Sequence, residues 1–342
     1  MATLKDVAQA ANVDASTASR VLRGDPRQAV SVATRERILE AARIMQYRPN
    51  ALARSLRMGR TDTIGLIIPS LDNVGFSDVT HGVQAAAARA GKLVLVVEAG
   101  ALPGSEGARF EHYSRLVTDG RVDGIIAAFA SLDDRLLKQI AERGLPLVLV
   151  NRRTSGVQGS VVVDDEAGSR LAVDHLISLG HRRIAFVGLA PETDTARRRE
   201  HGYERAMEAA GLTVEPGWQV AGLPTEAGGR EGAAALVALA ADRRPTAIFA
   251  ASLLAAIGIL AGLHDAGIAV PADMSLIAFN DHPLAAHLSP PLTTIRMANF
   301  EMGQTAVEML LGAIEGRGVQ DVMLPDSPRL ILRASTAPPG PS

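Results

Sequence analysis

The sequence predicts an α/β protein in which a small helical headpiece precedes two lobes built on doubly wound parallel sheets. Three observations carry this reading: a change in the sign of charge along the chain, three short helices legible in the first 46 residues, and short apolar runs alternating with helices from Thr63 onward. The length of 342 residues suggests about two or three domains. Residues 1–60 hold 11 Lys and Arg against 5 Asp and Glu, net +6, which leaves 24 against 32, net −8, for the rest. The overall charge of −2 therefore conceals a basic module joined to an acidic one. A composition of 47% hydrophobic and 21% charged residues is ordinary globular material. The absence of cysteine excludes a disulfide scaffold, a thiolate metal site and a thiol nucleophile. Lys5 and Asp6 stand where a secretory signal needs an apolar core, and no apolar run approaches about 18 residues, so a cytoplasmic location with no membrane association is expected.

In the headpiece, Thr3 precedes a helix with Leu4, Val7, Ala8 and Ala11 on one face, and Thr3 and Asp6 have capping-box spacing. Asn12 suits a tight left-handed turn, and Asp14 caps a second helix, Ala15 to Leu22. There Thr17, Ala18, Val21 and Leu22 face inward, with Ser16, Ser19 and Arg20 outward. Gly24-Asp25-Pro26 ends it. Ser31 caps a third helix, Val32 to about Gln46, with Ile38, Ala41, Ala42 and Met45 inward. Two helices separated by a few residues inside a basic module form a helix-turn-helix, whose second helix fits the major groove of DNA. Pro49 forbids extension of the third helix, and Asn50 caps a further short helix ending near Gly59. So short a segment is not helical alone in water and needs a partner or DNA.

From Thr63 the runs Ile64–Ile68, Leu93–Val97, Gly124–Ala128, Leu147–Val150 and Val161–Val163 read as buried parallel strands without alternation, separated by helices near 82–90, 111–118 and 133–143. A second series echoes the first, with strands at Arg183–Gly188, Ala247–Ala251 and Ser275–Phe279, after which Pro290 to Ile295 carries the chain back to the first lobe. Two such lobes enclose a cleft, and ligands sit at the carboxyl ends of the strands.

The stretches Thr3–Ala8, Ser16–Leu22, Thr34–Arg37 and Tyr47 through Asn50 to Leu56 resemble the headpiece of LacI/GalR-type transcriptional regulators, and the chain is identified on them as a member of that family. The likeness extends to His175–Ala185, the Gly202-Tyr203 helix and Ser289–Ile295, which look like the sugar-binding core of the same family, similar in fold to periplasmic binding proteins. The resemblance implies a helix-turn-helix domain at 1–47 and a hinge helix and linker at 48–60. It implies an effector-binding core at 61–336, with lobe one near 61–160 and 292–325 and lobe two near 161–291 and 326–336, and a disordered tail at 337–342. It further implies that the second helix reads operator bases through Ala15, Ser16 and Arg20, with Thr17 at the same end of the helix, and that Leu56 wedges into the minor groove. Arg20 has the fork and reach for guanine, and Thr3, Ser19 and Asn50 are placed for phosphate contacts. Two departures stand out. Asn12 replaces a usual Gly, and Asp14 replaces a small hydroxyl residue, bringing a negative charge toward phosphate.

In the core, the resemblance points to Asn73, Phe76, Asn151, Arg199, Ser252 and Asn280 as effector contacts. Asn280 stands where an Asp is usual, and Ser252-Leu253 where Asn-Asp is usual. The pocket is thus less acidic and less polar than a typical sugar sensor's, which suits a modified or less hydroxylated sugar, or one with an anionic group near Arg199. The expected partners are a palindromic double-stranded DNA operator, a sugar-like small molecule and a second copy of the chain. A C-terminus without a leucine heptad offers no tetramer-building segment. No phosphate-loop, nucleophile-elbow, zinc-protease or dinucleotide-binding motif is present, and the eight histidines are scattered, so no enzyme activity, metal or cofactor is expected. The alternative, a two-lobed binding protein or enzyme without specific DNA function, leaves the +6 headpiece unexplained.

Overall fold

A computed structural model describes residues 2–22, 30–47, 60–99 and 106–340, without the side chains of residues 106–110 and 112. The chain divides into two compact units, Met1–Thr61 and Asp62–Ser342.

In the first unit, α1 (Leu4–Ala10), α2 (Ala15–Leu22) and α3 (Val32–Ile44) pack around Ala8, Ala11, Ala18, Val21 and Ile38. The capping box at the start of α1 forms in both directions: Asp6 N donates to Thr3 Oγ1 at 3.3 Å and Thr3 N donates to Asp6 Oδ2 at 2.8 Å. Asn12 takes φ 50°, and Val13 N donates to Ala8 O at 3.0 Å to close the turn. Asp14 accepts from Thr17 N at 2.9 Å and Ser31 from Thr34 N at 3.2 Å, which starts α2 and α3. Two expected orientations are corrected. Ser19 is buried rather than outward, because α2 lies against both α1 and α3, and Met45 is exposed rather than inward, because α3 stops at Ile44. The predicted hinge at 48–60, with Asn50 and Leu56, falls outside the described residues except for Arg60.

The second unit holds two six-stranded sheets. The first, ordered β11-β5-β4-β3-β1-β2, consists of β1 (Thr63–Ile68), β2 (Leu93–Glu98), β3 (Gly124–Ala127), β4 (Leu147–Val150), β5 (Ser160–Val162) and β11 (Val322–Met323), all parallel. The second, ordered β12-β10-β9-β8-β6-β7, consists of β6 (Ile184–Val187), β7 (Gln219–Val220), β8 (Ala247–Ala250), β9 (Ser275–Phe279), β10 (Thr293–Arg296) and β12 (Arg329–Ile331), with only β12 antiparallel to its neighbour. The helices α4 (Ser77–Arg89), α5 (Glu106–Thr118), α6 (Arg135–Glu142) and α11 (Asn299–Ile314) belong with the first sheet. The helices α7 (Asp165–Ser178), α8 (Asp194–Ala209), α9 (Glu226–Val237) and α10 (Leu253–Asp265) belong with the second. Parallel crossovers need such helices, and central strands covered on both faces become the continuous apolar runs seen in the sequence. Among the described residues, no helix is long and apolar enough to cross a membrane.

Several boundaries differ from expectation. The strand β2 was read as buried throughout, yet Leu93 and Leu95 are exposed because it is the edge of its sheet. The chain does not return to the first lobe at residue 292: β10 still pairs with β9 and β12 in the second sheet, and the crossing follows Arg296. Ser160–Val162 pairs with β4, so the opposite crossing lies after that strand and not at 160. The tail expected to be disordered from 337 is fixed at its first residue. Ala337 N donates to Ser275 Oγ at 3.0 Å, and its carbonyl accepts from Ser275 Oγ at 3.0 Å and faces His181 Nε2 at 2.9 Å.

One buried carboxylate ties the crossovers together. Asp281, just after β9, accepts from Thr294 Oγ1 at 2.6 Å, Arg296 Nη2 at 2.5 Å and Arg333 Nη2 at 2.7 Å. Burial pushes its pKa up, but the bonds from Thr294, Arg333 and Arg296 outweigh burial and hold it below the ordinary value of 3.8. A lowered folded-state pKa contributes stability that is present above the unfolded value and lost as the pH falls through the folded one. Asp281→Asn is therefore expected to lower the unfolding free energy of the core at neutral pH by about 3 kcal/mol. It should also flatten the loss of stability below pH 3.8, as urea melts across pH will report.

Candidate functional site

All six core residues singled out in the sequence meet at one cavity. It is lined by Asn73, Phe76, Asn151, Arg199, Ser252 and Asn280, together with Arg152, Thr193, Thr195, Asn299 and Met302. The walls come from the carboxyl ends of strands in both sheets. After β1, Asn73 Oδ1 accepts from Gly75 N at 3.0 Å and so shapes the 3-10 turn that buries Phe76. Asn151 follows β4 and Asn280 follows β9, each with a left-handed φ, 66° and 70°, which Asn tolerates better than most residues. Both amides thereby stand at matching positions of the two lobes. Ser252 caps α10, accepting from Ala255 N at 3.2 Å, which leaves its hydroxyl hydrogen for a ligand.

Arg199 is neither solvated nor free. Its Nε donates to Asp165 Oδ1 at 2.7 Å, its Nη1 donates to Ala251 O at 2.6 Å, and its guanidinium lies 3.8 Å from the centre of the Phe279 ring. Burial pulls its pKa down, opposed by Asp165. Its neighbour Arg198 reaches the same carboxylate at 2.8 Å and Asp194 at 3.1 Å, and donates to the carbonyls of Val163 and Asn151 at 2.9 and 3.1 Å. The close approach of α7 and α8 that permits this depends on Gly202, where a Cβ would fall 2.5 Å from Glu166 O.

The residue that sequence reasoning missed is Arg152. It lines the cavity, donates from Nη1 to Ala130 O at 3.1 Å, and has a buried Nε without a partner. Burial, and then the charge of Arg199, pulls its pKa to about 10, so it stays protonated at neutral pH. In the sequence Asn151-Arg152-Arg153 looks like a solvated loop, and nothing in it signals burial. Thr195, also missed, is buried and donates to Asn151 O at 2.8 Å. His181 is buried against Thr246 and Ser275, and His175 faces Thr336 at 3.0 Å.

On the headpiece, Thr3, Ala15, Ser16 and Arg20 are exposed, Thr17 is half-buried and Ser19 is buried. The hydroxyls are already engaged. Ser16 Oγ donates to Asp14 Oδ1 at 2.5 Å, Thr17 Oγ1 to Asp14 Oδ2 at 2.7 Å, and Thr3 Oγ1 to Asp6 Oδ2 at 2.8 Å. The Ser16 and Thr17 hydroxyls hold the Asp14 carboxyl well below its ordinary value.

Residues 3–50 match the model of bacterial regulatory proteins of the lacI family, and residues 173–336 that of a periplasmic binding protein-like domain. The HTH-type transcriptional repressor PurR of Aliivibrio fischeri is 32% identical over 98% of this chain and 99% of its own. The chain belongs to the LacI family of bacterial regulatory proteins. Among solved structures, the lac repressor dimer bound to operator and an anti-inducer is 26% identical with a TM-score of 0.83, covering 98% of this chain and 99% of that one. The regulator CelR in complex with cellobiose is 28% identical with a TM-score of 0.72, covering 98% and 100%. The protein is a DNA-binding transcriptional regulator under small-molecule control.

The buried charge cluster yields a direct expectation. Asp165→Ala leaves two adjacent buried arginines with only Asp194 to answer them and should destabilise the core by about 3–5 kcal/mol. Arg199→Lys should cost less, because a charge remains for Asp165 while the stacking on Phe279 is lost. Denaturant midpoints of the two variants check the order.

Proposed function

We propose that the protein is a cytoplasmic, nucleoid-associated repressor that binds a two-fold symmetric operator as a homodimer and releases or engages it when a sugar-like effector occupies the cleft between the core lobes. The observation that carries this reading is the meeting of Asn73, Phe76, Asn151, Arg199, Ser252 and Asn280 at a single cavity framed by both sheets. Phe76 offers an apolar face for a ring, and the amides of Asn151 and Asn280 with the Ser252 hydroxyl suit ring substituents. The relatives support the rest: among them are a repressor, a dimer on its operator, and a regulator holding cellobiose.

Within this reading residues 1–47 bind DNA, residues 48–60 couple, and the core senses. Arg20 forks onto guanine, Ala15, Ser16 and Thr17 face neighbouring bases, Thr3, Ser19 and Asn50 meet phosphates, and Leu56 wedges into the minor groove. Ser19, being buried, reaches a phosphate only at its edge. A dimer places two headpieces on the two half-sites of a palindrome. Effector closure of the cleft reorients the first lobes and with them the paired linkers, and switching operator from nearly all bound to nearly all free takes about 5.5 kcal/mol of differential binding. Catalysis plays no part in this scheme.

Gel shifts on genomic fragments test it. Specific complexes should persist at moderate salt on a small set of fragments and weaken steeply as salt rises; a protein that retains every fragment equally, or none, is not a sequence-specific regulator. Leu56→Ala should lose operator affinity while effector binding in calorimetry stays unchanged, and equal loss of both contradicts the coupling assigned to the linker. Arg20→Ala should relax discrimination at one base pair by about 1–3 kcal/mol, read from binding-site selection.

A further inference from the structure

We infer that the effector carries an anionic group, a carboxylate or a phosphate, and that Arg152 is the side chain that meets it. The inference rests on the reading of the cleft as the effector site. The residues lining the cavity include two arginines and no carboxylate. The charge of Arg199 is answered by Asp165, and that of Arg198 by Asp165 and Asp194. Arg152 has no such answer. Among the described residues its one hydrogen bond goes to the neutral carbonyl of Ala130, and its Nε is cut off from solvent without an acceptor. Asp194 and Asp134 favour its charged form from a distance, but neither forms an ion pair with it.

An arginine keeps its proton, and a charge held out of water without a counter-ion is costly. A neutral polyol in the cleft would seal Arg152 further from water and leave that cost in place. A carboxylate or phosphate would remove it through a forked, charge-assisted pair. One further feature points the same way. Asn280 and Asn151 present amides whose N–H groups donate to an anion, where carboxylates would repel one. The anion expected near Arg199 from the sequence is thus moved one contact away, to the arginine whose charge is unmatched.

The test uses the purified full-length protein and calorimetry with matched probes: D-glucose, D-gluconate and D-glucose 6-phosphate, and the corresponding D-galactose set. At least one anion is expected to bind about 10- to 100-fold more tightly than its neutral parent, and the acid and phosphate arms tell which anion the cleft prefers. Arg152→Gln should lose about the same factor for the anion while its far-ultraviolet circular dichroism stays that of the wild type. Arg152→Lys, which keeps a charge without the fork, should fall between the two. Binding of a neutral parent as tightly as its anions, or an Arg152→Gln protein that binds the anion like the wild type, overturns the inference. Equal affinities of the Gln and Lys variants would assign the effect to packing and overturn it as well. If only neutral sugars bind, the anion is wrong and the cleft is right; if nothing in the panel binds, both fail.

Discussion

The sensing unit depends on one buried carboxylate. Asp165 sits in the first turn of α7, directly after the chain leaves the first sheet, and is fully removed from solvent. It holds Arg198 and Arg199 of α8 side by side, and those two guanidiniums in turn take the carbonyls of Asn151, Val163 and Ala251. Those carbonyls lie at the ends of β4, β5 and β8, strands from both sheets. Two like charges so close would repel strongly without the acid between them, so the order of this region follows from a single side chain. Of this cluster, Arg199 lines the cleft.

Apolar packing supports it from behind. Phe186, Phe249 and Phe279 lie one on each of the neighbouring strands β6, β8 and β9, with centroids 5.4 and 6.4 Å apart, and Tyr203 of α8 stacks on the first at 5.2 Å. The ladder ends at Phe279 beneath Arg199. The main core cluster includes residues of both sheets, so the cleft opens into a continuous apolar body. Beside it, Asp281 fastens β10 and the segment after β12 to the end of β9, so the links between the lobes are braced at a point next to Asn280.

On the headpiece the same economy of acids appears. Asp6 and Asp14 each take a cap amide and a neighbouring hydroxyl, which fixes rotamers at the start of α1 and on the exposed face of α2. Ser16, its hydrogen committed to Asp14, presents only lone pairs outward. The negative charge of Asp14 is the counterpart of that ordering, and the net +6 of residues 1–60 outweighs it.

The strands, the capping residues and the turn at Asn12 were legible because they are set by local rules: apolar period, side-chain capping and tolerance of left-handed φ. The cleft residues were legible through family resemblance, since each occupies a fixed offset from a strand end or a helix start. The sequence alone thus determined that a basic helical reader is joined to an acidic two-lobed sensor. What it left open were charges whose meaning depends on distant partners. Arg199 and Asp165 are 34 residues apart, the exposure of β2 follows from sheet order, and the arginine pair after β4 looks the same in sequence whether solvated or buried. Only the tertiary structure decided that Arg199 is neutralised and Arg152 is not, because the energy of a charge is set by the groups the fold places around it and by the water it excludes.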